Sequence, residues 1–192
     1  MKCFVINLDR SPERLAAFTK QVALAKMAFE RFPAIDGKLV PEDQLAAERA
    51  ARFELQPINR FETALFLSHR AVWQKFVDGG EPACAVFEDD VVLAPEISAA
   101  FELISACSEP FDVVKLETTG RKVIIANTPT IANGRFILAE LKSWHGGAAG
   151  YVLSRRGALK LLEKNAKVAD PVDQAGQTTH VRVRAGHGQC RT

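Results

Sequence analysis

The sequence predicts a three-layer α/β protein, in which helices cover both faces of a mainly parallel β-sheet. Short apolar segments alternate with longer segments whose apolar residues recur at helical spacing, as in successive β-α-β units. No internal repeat or low-complexity linker divides the 192 residues, and a chain of this length forms one substantial core. A functional site is therefore expected where the parallel strands end, at their carboxyl edge.

The first half of the chain alternates strands with helices. Ser11 and Pro12 are typical of a helix start, and Asn59-x-x-Glu62 is a variant of the capping box. In order, the elements predicted here are a strand at 2–8, a helix from Ser11, a strand at 30–35 that ends at Asp36-Gly37, a helix from Pro41 that carries Leu45 and Phe53, a helix at 61–77 and a strand from 83.

The second half continues the alternation and adds an antiparallel element. A helix from Pro95 and a strand at 111–116 extend the parallel part. The segments 122–125 and 135–141 are predicted to pair across the turn signal Asn133-Gly134. Residues 146–154 lead into a last helix at 155–164.

Residues 83–93, Ala-Cys-Ala-Val-Phe-Glu-Asp-Asp-Val-Val-Leu, place three consecutive carboxylates inside an apolar segment. At an effective dielectric constant near 20, carboxylates about 5–6 Å apart repel by roughly 3 kcal/mol. Glu88, Asp89 and Asp90 therefore need solvation or a bound cation. Strand alternation puts Glu88 and Asp90 on one face, as a clamp for Mn²⁺ or Mg²⁺, whose usual ligands are carboxylates and substrate phosphates. The alternative is a solvated acidic loop.

The carboxyl edge of the sheet is predicted to collect charges of both signs. Arg10 and Arg14 lie around the first helix start, where free N–H groups favour an anion, although surface ion pairs with Asp9 and Glu13 are an equal alternative. The residues expected near this edge are Asn7, Asp9, Arg10, Asp36, Glu88, Asp89, Asp90 and Glu117.

Composition excludes several classes of protein. The net charge of +2, with Lys and Arg spread along the chain, gives no reason to expect a nucleic-acid partner. The apolar segments are too short to cross a membrane and the N-terminus lacks the features of a signal peptide, so we expect a cytoplasmic protein. The four cysteines are widely separated and indicate neither a zinc site nor a disulfide framework.

Six segments together carry a resemblance to a known family. They are Phe-Val-Ile-Asn-Leu-Asp-Arg-Ser-Pro-Glu-Arg-Leu at 4–15, Ala-Ile-Asp-Gly at 34–37, Leu-Ser-His-Arg-Ala-Val-Trp at 67–73, Val-Phe-Glu-Asp-Asp-Val at 86–91, Gly-Gly-Ala-Ala-Gly-Tyr-Val-Leu-Ser at 146–154 and Asp-Pro-Val-Asp at 170–173. In order and spacing they resemble glycosyltransferase family 25, which includes bacterial lipopolysaccharide and lipooligosaccharide sugar transferases and collagen galactosyltransferases.

The resemblance implies a GT-A-like nucleotide-diphospho-sugar transferase fold over residues 1–173. It also implies inverting transfer of a hexose, commonly galactose from UDP-galactose, to a glycan or lipooligosaccharide acceptor in bacterial surface polysaccharide biosynthesis. A peripheral association with the inner membrane through that acceptor is expected. The alternatives are a non-catalytic remnant that keeps nucleotide-sugar binding and, from the same carboxylates, a phosphoryl-transfer enzyme. Against the phosphoryl-transfer alternative, the sequence has neither a Gly-x-x-x-x-Gly-Lys loop nor an aspartyl nucleophile motif on the first strand.

The resemblance assigns roles to individual residues. Asp90, with Glu88, would hold Mn²⁺ (or Mg²⁺) against the diphosphate. The residues expected to bind the nucleotide sugar are Asn7, Arg10, Arg14, Asp36, Ser68, His69 and Asp89. For His69 a hydrogen-bonded position beneath the site is an equal alternative.

Two carboxylates are candidates for the base of inverting transfer, which must deprotonate the acceptor hydroxyl. Asp173 could instead cap a turn, and Glu117 could pair with Lys115 or Arg121. The loop Trp144-His145-Gly146-Gly147 is typical of a segment whose backbone approaches a sugar, or of a tight turn alone.

The last segment, 174–192, lacks the apolar residues of a core element, with Val181 and Val183 as its only aliphatic residues besides alanine. Family members usually continue with an apolar strand and further segments. We therefore expect an atypical, poorly ordered tail, from a truncated or altered C-terminus.

Overall fold

A computed structural model describes residues 1–51, 58–117, 120–127, 131–132, 136–175 and 180–185, with the backbone alone described at 131–132 and 180–185. Helices and strands alternate along the chain as the sequence predicts. The elements are β1 (Lys2–Asn7), α1 (Pro12–Leu24), β2 (Glu30–Pro33), α2 (Glu42–Glu48), α3 (Arg60–Gly79), β3 (Ala83–Glu88), α4 (Ile97–Ser105), β4 (Val113–Lys115), β5 (Ile131–Ala132), β6 (Phe136–Glu140), β7 (Gly150–Ser154), α5 (Arg155–Lys164), α6 (Val172–Ala175) and β8 (His180–Ala185).

The described strands form one sheet in the order β2-β1-β3-β7-β4-β8-β6-β5. Strands β2, β1 and β3 are parallel neighbours, and β7 lies antiparallel between β3 and β4, so that β4 runs in the direction of β1. Strand β8 is parallel to β4, whereas β6 is antiparallel to β8 and β5 is antiparallel to β6. Six of the eight described strands run in a common direction, and helices cover both faces of the sheet, which confirms the predicted α/β, GT-A-like fold.

Alternation along the strands divides the core between the two faces of the sheet. In β1, Phe4 and Ile6 belong to one apolar cluster, and Cys3 and Val5 belong to the other. Helices α3 and α5 pack in the first cluster, whereas α1 and α4 pack in the second. The sheet is therefore the middle of three layers, as predicted.

Local sequence signals account for the starts of the helices that flank the site. Helix α1 begins at Pro12, directly after Ser11. At the start of α3, the Asn59 side chain accepts from the backbone N–H groups of Phe61 and Glu62, and the Glu62 side chain accepts from the N–H of Asn59. The predicted capping box is confirmed. At its C-terminus, α3 ends with Gly80 as the C-cap, in the left-handed conformation at φ +82°.

Two expectations about the elements differ from the structure. Residues 150–154 form β7, because a short apolar segment with Tyr, Val and Leu completes the sheet between β3 and β4. In the predicted pair of 122–125 with 135–141, Ile125 makes a single bridge to Leu141, while β6 pairs with β5. Phe53 and the Asn133-Gly134 turn lie outside the described residues.

The C-terminal segment also differs from the poorly ordered tail that the sequence predicts. Residues Val172–Ala175 form α6, and His180–Ala185 form β8 where poor order is expected from 174 onwards. The alternation His-Val-Arg-Val-Arg-Ala is a strand pattern, and pairing with β4 and β6 supplies its backbone hydrogen bonds. The remainder, 176–179 and 186–192, lies outside the described residues. Among the helices that the structure describes, none has the length and apolarity needed to span a bilayer.

Candidate active site

Asn7 joins the carboxyl ends of β1 and β3. It is buried, and its Nδ2 donates to the Asp89 carboxylate at 2.6 Å and to the Ser11 carbonyl at 2.9 Å. Its Oδ1 accepts from Arg31 Nε at 2.9 Å. Both donor hydrogens and the acceptor are therefore used within the protein. Asn7, predicted as a nucleotide contact, holds the loop after β1 against the loop after β3.

Asp89 and Asp90 share one positively charged partner, the guanidinium of Arg14. Arg14 Nη1 lies 3.3 Å from a carboxylate oxygen of each. The Asp89 side chain is 9% exposed and the Asp90 side chain 53%, so Asp90 presents its carboxylate to solvent. Because β3 ends at Glu88, strand alternation does not extend to Asp90. The side chain that shares a contact with Asp90 is thus Asp89, through Arg14, rather than Glu88.

Arg10 and Asp36 form a second ion pair at this edge, 2.6 Å apart. Asp36 Oδ1 also accepts from the backbone N–H of Lys38 at 2.9 Å. This backbone bond and the Arg10 guanidinium hold the pKa of Asp36 below its ordinary value. The partners of Arg10 and Arg14 are therefore Asp36, Asp89 and Asp90, and not the neighbouring Asp9 and Glu13 of the surface-pair alternative. Asp9 pairs with Arg31.

Ser68 lies beneath the site with no exposed surface. Its Oγ accepts from the backbone N–H of Ile35 at 2.9 Å and donates to the Ala64 carbonyl at 2.8 Å. Ser68, predicted to contact the nucleotide sugar, therefore fixes the loop that carries Asp36 to helix α3.

His69, the next residue along α3, is also fully buried. Its Nδ1 lies 2.9 Å from the Tyr151 hydroxyl, which accepts from Trp73 Nε1 at 2.7 Å. Its Nε2 lies 3.5 Å from Glu88 Oε1. His69 thus takes the hydrogen-bonded position beneath the site that the sequence left as an alternative, and it approaches the predicted metal-binding carboxylate from below.

The Gly147 loop, residues 146–149, contacts both candidate bases, Glu117 and Asp173. Lys115 Nζ donates to the Gly147 carbonyl, the Gly147 N–H donates to Asp173 at 3.3 Å, and the Ala149 N–H donates to Glu117 at 3.2 Å. Gly147 has φ +91°, and a Cβ there would lie 2.5 Å from Glu117 Oε2. Glycine is required at this position by both conformation and space.

The carboxylates around this loop have distinct environments. Burial raises the pKa of Glu117, an effect that the charge of Lys115 opposes. Burial lowers the pKa of Lys115, against the charges of Glu117, Asp173 and Glu88. Lys115 Nζ lies 3.8 Å from Glu117 Oε1, which is the ion pair with Lys115 that the sequence offered as an alternative role for Glu117. Asp173 lies in the first turn of α6.

The family follows from comparison with known proteins. A family model described as "Glycosyltransferase family 25 (LPS biosynthesis protein)" matches residues 1–175. The chain belongs to glycosyltransferase family 25. The predicted resemblance is thereby confirmed, and the acidic end of β3, the loop after β1 and the Gly147 loop all lie inside the matched region.

Curated relatives agree with the family 25 assignment. The chain is 32% identical to "Lacto-N-neotetraose biosynthesis glycosyltransferase LgtE" of Neisseria meningitidis serogroup B, over 85% of this chain and 60% of that protein. It is 30% identical to LgtB of N. meningitidis serogroup A, over 90% of this chain and 65% of that protein. A "Glycosyltransferase 25 family member" of Aedes aegypti is 27% identical over 89% of this chain and 29% of its own length. The chain thus spans less than two thirds of these relatives.

The carboxylates of this family 25 chain fit a hard divalent cation that completes its coordination with substrate. Asp90 has an open carboxylate, and the Glu88 side chain is 23% exposed. No cluster of three or more His, Cys, Asp or Glu side chains suited to a metal ion is present within the described ranges. One or two carboxylates together with diphosphate oxygens and water is the ligand set that Mg²⁺ and Mn²⁺ accept.

Two buried residues near the site, Lys115 and Tyr151, have no role at the site predicted from the sequence. Lys115 is a charge within the apolar segment Val-Val-Lys, the same kind of signal that marks the acidic end of β3. Tyr151 carries no such signal, because its neighbours Trp73 and His69 lie on another element.

Proposed function

We propose that this chain transfers a hexose from a nucleotide diphosphate sugar to a glycan acceptor, with UDP-galactose as donor and with inversion at the anomeric carbon. One observation carries the proposal: the exposed carboxylate of Asp90 and the guanidinium of Arg14 meet where β1 and β3 end, on the edge that also holds Glu117. Relatives named for lacto-N-neotetraose biosynthesis support the choice of a hexose and of a lipooligosaccharide acceptor. Such an acceptor implies a peripheral association with the inner membrane.

The donor is proposed to bind across the loops after β1, β2 and β3. Arg10 and Arg14 are about half exposed, and their ion pairs leave N–H groups that can bind phosphate oxygens. Asp36, which Arg10 holds at this edge, is the proposed acceptor for a hydrogen bond from the uridine or ribose. Asp90 and Glu88 would hold Mn²⁺ (or Mg²⁺), which, when bound, supplies a Lewis acid that stabilises the negative charge of the departing diphosphate.

The acceptor hydroxyl must lose its proton as its oxygen attacks the anomeric carbon. Glu117 and Asp173 are the proposed proton acceptors, since both accept hydrogen bonds from the backbone of the Gly147 loop and inverting displacement needs a base opposite the leaving group. The pKa of Glu117, raised by burial, makes its carboxylate a stronger base than an ordinary glutamate. Asp173 accepts a hydrogen bond from the backbone N–H of Gly147.

A donor panel tests the proposed function. UDP release from UDP-galactose, UDP-glucose and UDP-N-acetylglucosamine would be measured with and without Mn²⁺, in the presence of lactose or N-acetylglucosamine. We expect Mn²⁺-dependent turnover that is fastest with UDP-galactose, and an anomeric configuration in the product opposite to that of the donor. Metal-dependent UDP binding without turnover of any donor would favour the non-catalytic alternative. Faster turnover of another UDP-sugar would overturn the donor assignment.

A further inference from the structure

Three aromatic side chains form a buried hydrogen-bond chain whose last member, His69, faces Glu88. Trp73 Nε1 lies 2.7 Å from the Tyr151 hydroxyl, which lies 2.9 Å from His69 Nδ1. The opposite ring nitrogen, His69 Nε2, faces Glu88 Oε1 at 3.5 Å. Trp73 and Tyr151 are almost fully buried and His69 completely so, which excludes bulk water as a partner within the chain.

The hydrogen-bonding capacity of these groups fixes the direction of the chain. An indole N–H donates only, so Tyr151 accepts from Trp73. The Tyr151 hydroxyl keeps its own proton, because burial raises its pKa well above the ordinary value. Within the part of the chain that the structure describes, the acceptor in reach of this proton is His69 Nδ1. A proton on Nδ1 would leave the buried tyrosine O–H without an acceptor, at a cost of about 1–3 kcal/mol.

The proton of a neutral His69 is therefore carried on Nε2. Among the described atoms, Nε2 makes no hydrogen bond, although it is completely buried and directed at Glu88. A shift of a few tenths of an ångström in the Glu88 carboxylate brings Oε1 within normal hydrogen-bond distance of this donor. The Glu88 side chain is 23% exposed, so its carboxylate is still accessible to a ligand.

We propose that Trp73, Tyr151 and His69 are positioning residues that present the Nε2–H of His69 to Glu88 and so orient its carboxylate for a divalent cation and a diphosphate. The orientation of a metal-binding carboxylate by a buried donor is a common outer-shell device, and its loss typically lowers metal affinity by about 10–100-fold. The cation is part of the proposed function, on which this last step rests. The direction of the chain does not depend on it.

The ligand-free protein gives the first test. In a two-bond ¹H–¹⁵N spectrum, His69 should show one protonated nitrogen, Nε2, and one unprotonated nitrogen, Nδ1, with the resonances assigned from their loss in His69→Leu. Tyr151→Phe should abolish this single tautomer, and Glu88→Gln should move the Nε2–H resonance. A proton on Nδ1, or on both nitrogens, in the wild-type chain overturns the proposal. So does an Nε2–H resonance that Glu88→Gln leaves unchanged.

Binding gives the second test. We expect the Kd for Mn²⁺-dependent UDP binding to rise about tenfold in Tyr151→Phe and in His69→Leu. His69→Gln should restore most of that affinity, because a glutamine amide accepts from Tyr151 and donates to Glu88. Val152→Ala removes core packing next to Tyr151 on the opposite face of the sheet, and it should leave both the tautomer and the Kd unchanged.

The two tests separate the failure of this inference from the failure of the proposed function. A wild-type chain that binds no UDP with Mn²⁺ would sink the proposed function, and the spectra of the free protein would still decide the donor chain. Equal Kd values for wild type, Tyr151→Phe and His69→Leu, in a chain that does bind UDP with Mn²⁺, would overturn the positioning role.

Discussion

The amide of Asn7 and the carboxylate of Asp89, 82 positions apart in the sequence, are joined by a hydrogen bond of 2.6 Å. Strands β1 and β3 are parallel neighbours, so this bond closes the two loops that follow them into one structure. Asn7 also binds the Ser11 carbonyl and accepts from Arg31. The role of Asn7 is therefore to hold the acidic end of β3 in place at the carboxyl edge of the sheet.

Replacement of Asn7 should destabilise the fold. In Asn7→Ala, the buried Asp89 carboxylate and the Ser11 carbonyl lose a donor, and we expect a loss of about 2–3 kcal/mol in the free energy of unfolding, measured by urea denaturation. Asn59→Ala, which removes the N-cap of α3 at the surface, is the matched control and should cost about 1 kcal/mol. A cost for Asn7→Ala no larger than that of the control would contradict the buried role.

The Gly147 loop offers a second comparison between matched variants. Gly147 and Gly80 have similar positive φ values, +91° and +82°, but an added Cβ meets Glu117 at 2.5 Å at Gly147 and nothing within 4 Å at Gly80. Gly80→Ala should therefore cost about 1–2 kcal/mol from backbone strain alone. Gly147→Ala should cost more in urea unfolding, and it should also slow transfer by displacing Glu117. Equal costs for both variants, with transfer unaffected, would remove the loop from the site.

Some of this arrangement was predictable from local sequence, because its signals lie within a few residues. The Ser11-Pro12 helix start, the Asn59 and Glu62 capping box, and a charged end to an apolar strand are all of this kind. The prediction that strand alternation puts Asp90 on the same face as Glu88 was wrong, because the strand ends at Glu88 and the turn brings Asp90 to Arg14.

The long-range features could not be predicted in the same way. Insertion of β7 between β3 and β4 depends on pairing of segments distant in the sequence, and this insertion is what places Tyr151 beside His69. Ser68 and His69 were predicted at the site from the family resemblance, but their burial beneath it depends on the packing of α3 against the sheet.

The pH dependence of stability should carry a contribution from Glu117. Burial raises the pKa of this carboxyl in the folded chain, above the value of about 4.3 that it has when unfolded. Its contribution to the free energy of unfolding is therefore fully present below about pH 4 and is lost as pH rises through the folded-state pKa. Glu117→Gln stays neutral, so its stability relative to wild type should increase from pH 4 to pH 7 in urea denaturation. A difference that is constant or decreases with pH would contradict the assignment.

Replacement of Asp173 should separate catalysis from binding. In Asp173→Asn, the amide oxygen can still accept from the Gly147 N–H, so the loop and UDP affinity should be preserved. If Asp173 is the base, kcat for transfer should fall by about 10²–10⁴-fold. Glu117→Gln is the parallel variant. An unchanged kcat in Asp173→Asn, together with a large fall in Glu117→Gln, would assign the base to Glu117.

The most direct test of the account is calorimetric titration of UDP into the wild-type chain and into Asp90→Ala, each with and without Mn²⁺. Asp90 is exposed and its described side-chain contact is with Arg14, so its loss should leave thermal stability nearly unchanged. We predict that Mn²⁺ strengthens UDP binding to the wild-type chain and has no effect on UDP binding to Asp90→Ala. UDP binding that is indifferent to Mn²⁺ in the wild-type chain, or equally Mn²⁺-dependent in both proteins, would contradict a metal-assisted diphosphate site at the end of β3.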